Sequence, residues 1–247
     1  EAAGVMPGRI AGSSAGALAG GLWAGGLRGE ALQAEIHSFW FKRCFFDFGA
    51  VWRLPGVLTW SYAPGIFKGT RMRRKLRSLL GERRIEDLEE PRLELAVANV
   101  DAGRGEIRGA GPLVDFILAS ISMPLVFCPC DVEGERFLDG GVSNETPYAH
   151  WLADGEVEEI LVHRIRHHGH QEGVVGVHPA EIVSLCHAIP NAELEDYRMK
   201  AAEASGKKLV VVETRHPHPG MWQSRGKGED LFRAGAATAR EWLKSRA

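Results

Sequence analysis

Residues 11–20 read AGSSAGALAG, and the reading of Ser13 and Ser14 between Gly12 and Gly16 decides the fold. A flexible Gly/Ser turn would account for the small side chains. So would a close-packed helix start, where small residues admit a neighbouring backbone. A third reading accounts for the spacing as well: Gly12, Ser14 and Gly16 fit G-x-S-x-G, in which a serine sits on a sharp turn between strand and helix. The flanks agree with it. Arg9, Ile10 and Ala11 form a short apolar approach, and Leu18, Leu22 and Trp23 recur at helical spacing until the glycines Gly25 and Gly26 stop the helix. The expectation is strand, turn, helix, with a hydroxyl at the bend.

Outward from the bend, strand and helix patterns alternate. Arg71 to Leu80 reads as an amphipathic helix, and residues 93–100 (LELAVANV) as a strand closed by the glycine-bearing turn DAGRGE. Leu113 to Ile121 reads as a buried helix ended by Pro124, and residues 130–139 as a hairpin over Glu133 and Gly134 whose second strand stops at Asp139. Further strands are expected at Val157–Val162 and Leu209–Val212, with helices at Ala192–Ser205 and Gly228–Lys244. Such alternation favours an α/β layer architecture. At 247 residues the chain can build one substantial core, so residues 1–247 are expected to form a single domain.

Composition narrows the function classes. With 45% hydrophobic and 25% charged residues the chain has average globular usage, and 30 Lys+Arg against 32 Asp+Glu give a net charge of −2. That balance offers no broad attraction to nucleic acid, and confines any membrane contact to a local patch. The four cysteines, Cys44, Cys128, Cys130 and Cys186, suit small buried hydrophobes in a reducing compartment. No apolar run is long enough to span a bilayer, and no charged-then-apolar leader is visible, so a cytoplasmic protein, peripheral at most to a membrane, is expected.

Three blocks carry a resemblance. IAGSSAGALAGGLWAGG (residues 10–26), PGIFKGTRMRRKLRSLLGERRIEDL (64–88) and ILASISMPLVFCPCDVEGERFLDGGVSNETP (117–147) resemble successive blocks of the patatin-like phospholipase family, in its bacterial form. The likeness runs from about Glu1 to about Val162. The elbow Gly12, Ser13, Ser14, Ala15, Gly16 and the motif Asp139-Gly140-Gly141, after a Ser-x-Ser-x-Pro helix end, carry most of its specificity. The resemblance implies a three-layer α/β/α fold with a mainly parallel central sheet. It also implies a lipid acyl hydrolase (phospholipase A, lysophospholipase or esterase) that uses a Ser-Asp dyad and needs no metal or cofactor. Ser14 would be the nucleophile and Asp139 the general base, with Ser13 a bystander lining the turn. A serine hydroxyl needs a base, and a carboxylate kept dry has its proton affinity raised toward that task. Gly140 and Gly141 would supply positive φ and let the loop approach the elbow.

Two features qualify the resemblance. Family members carry a glycine-rich oxyanion loop, G-G-G-x-K/R-G, before the elbow, and nothing like it precedes Gly12 here. The oxyanion hole and its strand are thus expected upstream of Glu1, and the chain alone is expected to be a feeble catalyst, since one oxyanion donor is worth roughly a hundredfold or more. The alternative is a non-catalytic patatin-like module that binds lipid or protein. The segment from Phe39 to Phe67 holds half of the chain's 20 aromatics. It is expected to be mostly core, with a part lining an acyl pocket or resting on lipid. The tracts HRIRHHGH (163–170) and RHPHPG (215–220) lack carboxylate or thiol partners of their own, and are expected to be exposed loops rather than metal sites.

Overall fold

The computed structural model describes residues 6–37, 47–168, 179–217 and 225–245. The chain divides into two compact units, Glu1–Pro147 and Tyr148–Ala247.

In the first unit β1 (Arg9–Gly12) leads into α1 (Ala15–Ala24), followed by α2 (Gly29–His37), α3 (Ala50–Leu58), β2 (Gly65–Phe67) and α4 (Thr70–Leu80). Then come β3 (Arg92–Asn99), β4 (Arg104–Arg108), α5 (Leu113–Ser120), β5 (Leu125–Phe127), β6 (Cys130–Val132) and β7 (Glu135–Asp139). The expected strand, turn and helix around Ser14 form as read, and α1 stops at Gly25, whose N–H bonds the Gly21 carbonyl at 2.9 Å.

The central sheet is mixed, not mainly parallel. Its order is β1-β3-β7-β6, with β4 also on β3. Only β1 and β3 run parallel; β3 with β4, β3 with β7 and β6 with β7 are antiparallel. The reason is connection length. Two tight hairpins, over residues 100–103 and over Glu133 and Gly134, must return the chain alongside itself, whereas a parallel pair needs a long crossover. Glu133 (φ 54°) and Gly134 (φ 88°) are both left-handed, as a two-residue turn matching strand twist requires.

Helices α1, α4 and α5 pack together, and α1 and α5 also lie on the sheet. α4 buries Met72, Leu76 and Leu80, four residues apart, and points Arg71, Arg74 and Arg77 outward. Seven of the eight residues of α5 are buried, and Phe116 meets Phe137 of β7 edge-on with ring centroids 5.4 Å apart. Asp115, the eighth, pairs with Arg73 of α4 at 2.8 Å. Burial beside α4 pushes the Cys130 thiol up to about 11 despite Arg73, so it remains a protonated hydrophobe as expected. Cys128 is half-buried and Cys186 exposed, and Cys44 lies outside the described residues.

The second unit is a βαβ hairpin with a further helix. β8 (Glu159–His168) pairs in parallel with β9 (Lys208–Pro217) through the crossover helix α6 (Pro179–Ser205), and α7 (Arg225–Lys244) packs on β9. Both strands run past their apolar stretches. His163 to His168 continue β8 where a loop was expected, because polar side chains find partners across the pair. Arg164 meets its register partner Glu213 at 2.8 Å, and the His163 ring lies 2.9 Å from the Thr214 hydroxyl. Residues 169–170 and 218–220 of the two histidine tracts lie outside the described residues.

Candidate active site

The sharp bend at Ser14 depends on what precedes and follows it. A Cβ on Gly12 would lie 2.6 Å from the Gly16 carbonyl carbon, so only glycine lets β1 end against the first turn of α1. At Gly16, by contrast, a Cβ would meet nothing within 4 Å, so the second glycine of the motif is not needed for space. Ser14 itself takes φ 51° and ψ −119°, a conformation rarely held by a residue with a side chain. The Gly16 N–H returns to the Ser13 carbonyl at 2.8 Å, and the Leu18 N–H to that of Ser14 at 3.1 Å. Ser13 is buried, and its hydroxyl has no hydrogen-bond partner among the described residues, consistent with a residue lining the turn.

Asp139 arrives from the far end of the unit's sequence. It closes β7, whose antiparallel register places it opposite Val97 of β3, and its own N–H bonds the Ser122 carbonyl at 2.9 Å. β3 is the neighbour of both β1 and β7, and so brings the two ends together. The Ser14 hydroxyl donates to Asp139 Oδ2 at 2.7 Å across 125 residues of sequence. The other carboxylate oxygen, Oδ1, accepts the Gly141 N–H at 2.8 Å, which fixes the carboxylate plane. Asp139 is 4% exposed. Ser14 is half-buried beside exposed Ala15 and Gly16, so the serine is open to solvent and its partner is dry.

The glycines after Asp139 act differently from the expectation. Neither has positive φ; they allow close approach. A Cβ on Gly140 would lie 2.2 Å from the Ala96 carbonyl oxygen, and one on Gly141 3.1 Å from Asp139 Oδ1.

Ser120 is the site residue that sequence reasoning missed. Fully buried at the end of α5, it accepts the Ser14 N–H at 3.1 Å and donates its own hydroxyl to the Ala96 carbonyl at 2.7 Å. Its signal lay in the Ser-x-Ser-x-Pro helix end, where Ser122 likewise supplies the carbonyl that holds Asp139. The N-terminal end of α1 begins at the residue after Ser14, where its partial positive charge favours the anionic form of a nucleophile.

Cavity size does not locate this chemistry. A concavity of about 500 Å³ lies in the second unit around Leu152, Leu194 and Tyr197, and another of about 290 Å³ lies between Arg84 and Asp115 in the first; neither is lined by Ser14 or Asp139. Among the described residues no three metal-ligating side chains converge, and no helix is long and apolar enough to cross a membrane.

The fold and site together define a class: α/β proteins whose strand–turn–helix elbow carries a serine bonded to a buried aspartate two strands away in the sheet. The patatin-like phospholipase family model matches residues 1–150, and the chain belongs to that family. Among curated proteins it is similar to an uncharacterized NTE family protein of Mycobacterium bovis and to others of Mycobacterium tuberculosis strains CDC 1551 and H37Rv. Each is 32% identical over 142 residues, covering 57% of this chain and 36% of the relative. The chain thus spans about a third of the length of these relatives.

Proposed function

We propose that the protein is a serine lipid acyl hydrolase working through Ser14 and Asp139. The observation that carries this reading is the 2.7 Å hydrogen bond from the Ser14 hydroxyl to a buried carboxylate. Ser14 Oγ attacks the ester carbonyl carbon as Asp139 Oδ2 takes the hydroxyl proton. The tetrahedral adduct collapses, its bond to the alcohol oxygen breaks, and Asp139 returns the proton to the leaving alcohol. Water then attacks the acyl-serine, Asp139 again takes a proton, and Ser14 regains it as the fatty acid leaves. The Gly141 N–H holds Oδ1 so that Oδ2 faces the nucleophile throughout. Family membership supports a lipid ester as the substrate class, and a phospholipid or lysophospholipid is the reading we adopt.

The test uses a fluorophosphonate and a short-chain p-nitrophenyl ester. Ser14 should be labelled covalently, and Ser14→Ala and Asp139→Asn should each lower ester turnover by about a thousandfold or more with thermal midpoints little changed. Equal turnover in parent and variants, or a label on another residue, would refute the dyad. Turnover absent from the parent with the fold intact would favour a binding module.

A further inference from the structure

Around α3 the expected aromatic core is turned outward. Phe48, Trp52 and Trp60 are 87%, 80% and 80% exposed, and Val51, Leu58 and Tyr62 are exposed too; among the described aromatics of the segment only Phe67 packs inward, against Phe127 with centroids 5.8 Å apart. Phe39, Trp40, Phe41, Phe45 and Phe46 lie outside the described residues. The physical reason is local. Gly56, the buried residue of α3, is covered by the Tyr62 ring of the same segment, so the remaining apolar side chains of the helix face away.

The helix end holds this display in place. The Ser61 N–H bonds the Gly56 carbonyl at 3.0 Å and the Trp60 N–H that of Val57 at 3.2 Å, a closure whose left-handed position normally belongs to glycine. Here Trp60 occupies it, at φ 55°. A bulky ring in a disfavoured conformation, pointing into solvent, is a feature that folding alone does not call for.

Cations border the aromatics. Lys68, Arg71 and Arg74 are exposed, none of them has an acidic partner among the described residues, and the Arg71 guanidinium sits 5.2 Å from the Phe48 ring centroid, joining the two sets. Asp47 is already paired with Arg53. Strand β2, which follows α3, pairs in parallel with β5, and β5 is reached from Ser122 through exposed Met123. The patch and the loop that holds Asp139 therefore belong to one unit.

We propose that this surface docks the protein on an anionic lipid bilayer, with Trp52 and Trp60 in the headgroup interface and Lys68, Arg71 and Arg74 against the phosphates. Tryptophan rings favour that interface, and exposed cations with no acidic partner among the described residues complement a negative membrane beside them. The proposal rests on the acyl-hydrolase reading only for why a bilayer would be met, and docking is read without turnover.

The full chain carrying Ser14→Ala is sedimented with phosphatidylcholine vesicles and with vesicles containing phosphatidylglycerol. Binding should favour the anionic vesicles and weaken in about 0.5 M salt. Trp52→Ala with Trp60→Ala should lower partitioning by about tenfold or more, and removal of Lys68 or Arg71 by about fivefold each. With Ser14 restored, the same variants should keep soluble-ester turnover and thermal midpoint. Failure to bind either vesicle, or binding equal in parent and variants, overturns the proposal, as does association with a protein partner but not with vesicles. Loss of ester turnover with docking retained would count against the proposed function alone.

Discussion

Ser14 holds a backbone conformation that costs about 1–3 kcal/mol for a residue with a side chain, so something nearby must offset it. The bond from its N–H to the buried Ser120 hydroxyl is one such contact, and Ser120 passes the link on to the Ala96 carbonyl. Ser120→Ala should therefore leave two buried backbone groups unsatisfied and lower stability by about 1–3 kcal/mol, read from urea denaturation. Fluorophosphonate labelling of Ser14 should slow in the same variant. Unchanged stability and labelling would show that the elbow stands without it. Ser14 was legible because the spacing of Gly12 before it has a mechanical reason, and Asp139 only through the family resemblance of its Asp-Gly-Gly motif. Ser120 was not: a serine at a helix end reads as a helix end, and only the return of α5 to β3 makes it a support for the elbow.

Among elements, β3 does most to assemble the site. It pairs with β1 in its first half, with β7 in its second, and its Ala96 carbonyl accepts from Ser120 while Gly140 packs closely against it. Gly140→Ala should push that turn off β3, since the added Cβ would meet backbone, not a flexible side-chain tip. The expected result is destabilisation by about 2 kcal/mol or more, together with loss of Ser14 labelling even though Asp139 is retained. Full labelling in a stable Gly140→Ala protein would mean that β7 tolerates displacement. The element types read correctly along most of the first unit, because α4, α5 and the Glu133-Gly134 hairpin have clear periods and turn residues. The mainly parallel sheet implied by the resemblance gave way to a mixed one, since periodicity says that a strand exists and not which neighbour it takes. The outward face of α3 was also missed: apolar side chains look alike in a sequence whether they pack inward or face solvent.

At the scale of the whole molecule, the two units respond to pH through different groups. Burial holds the His163 pKa below its ordinary 6.5, and its ring sits against Thr214 between the strands of the second unit. With the folded value below the unfolded one, the unfolded chain binds the extra proton. The stability this histidine gives is full above about pH 6.5 and declines as pH falls toward the folded value. The thermal midpoint of the second unit should therefore drop between about pH 7 and pH 5, and His163→Gln should flatten that dependence. An identical profile in the variant would assign the slope to other groups. In the first unit, Glu86 is held at about 2 by its hydrogen bond with Arg84, so what it contributes is present above about pH 5 and is lost only as pH falls below that toward the folded value. By itself the sequence determined the α/β alternation and the elbow at Ser14, because local spacing and turn chemistry are written in consecutive residues, while Asp139 stood out only through a family resemblance. The tertiary structure alone decided the mixed direction of the sheet, the support from Ser120 and the exposure of Trp52 and Trp60. The first two depend on which distant segment lies alongside, and the third on a ring folding back over its own helix, none of which a run of consecutive residues displays.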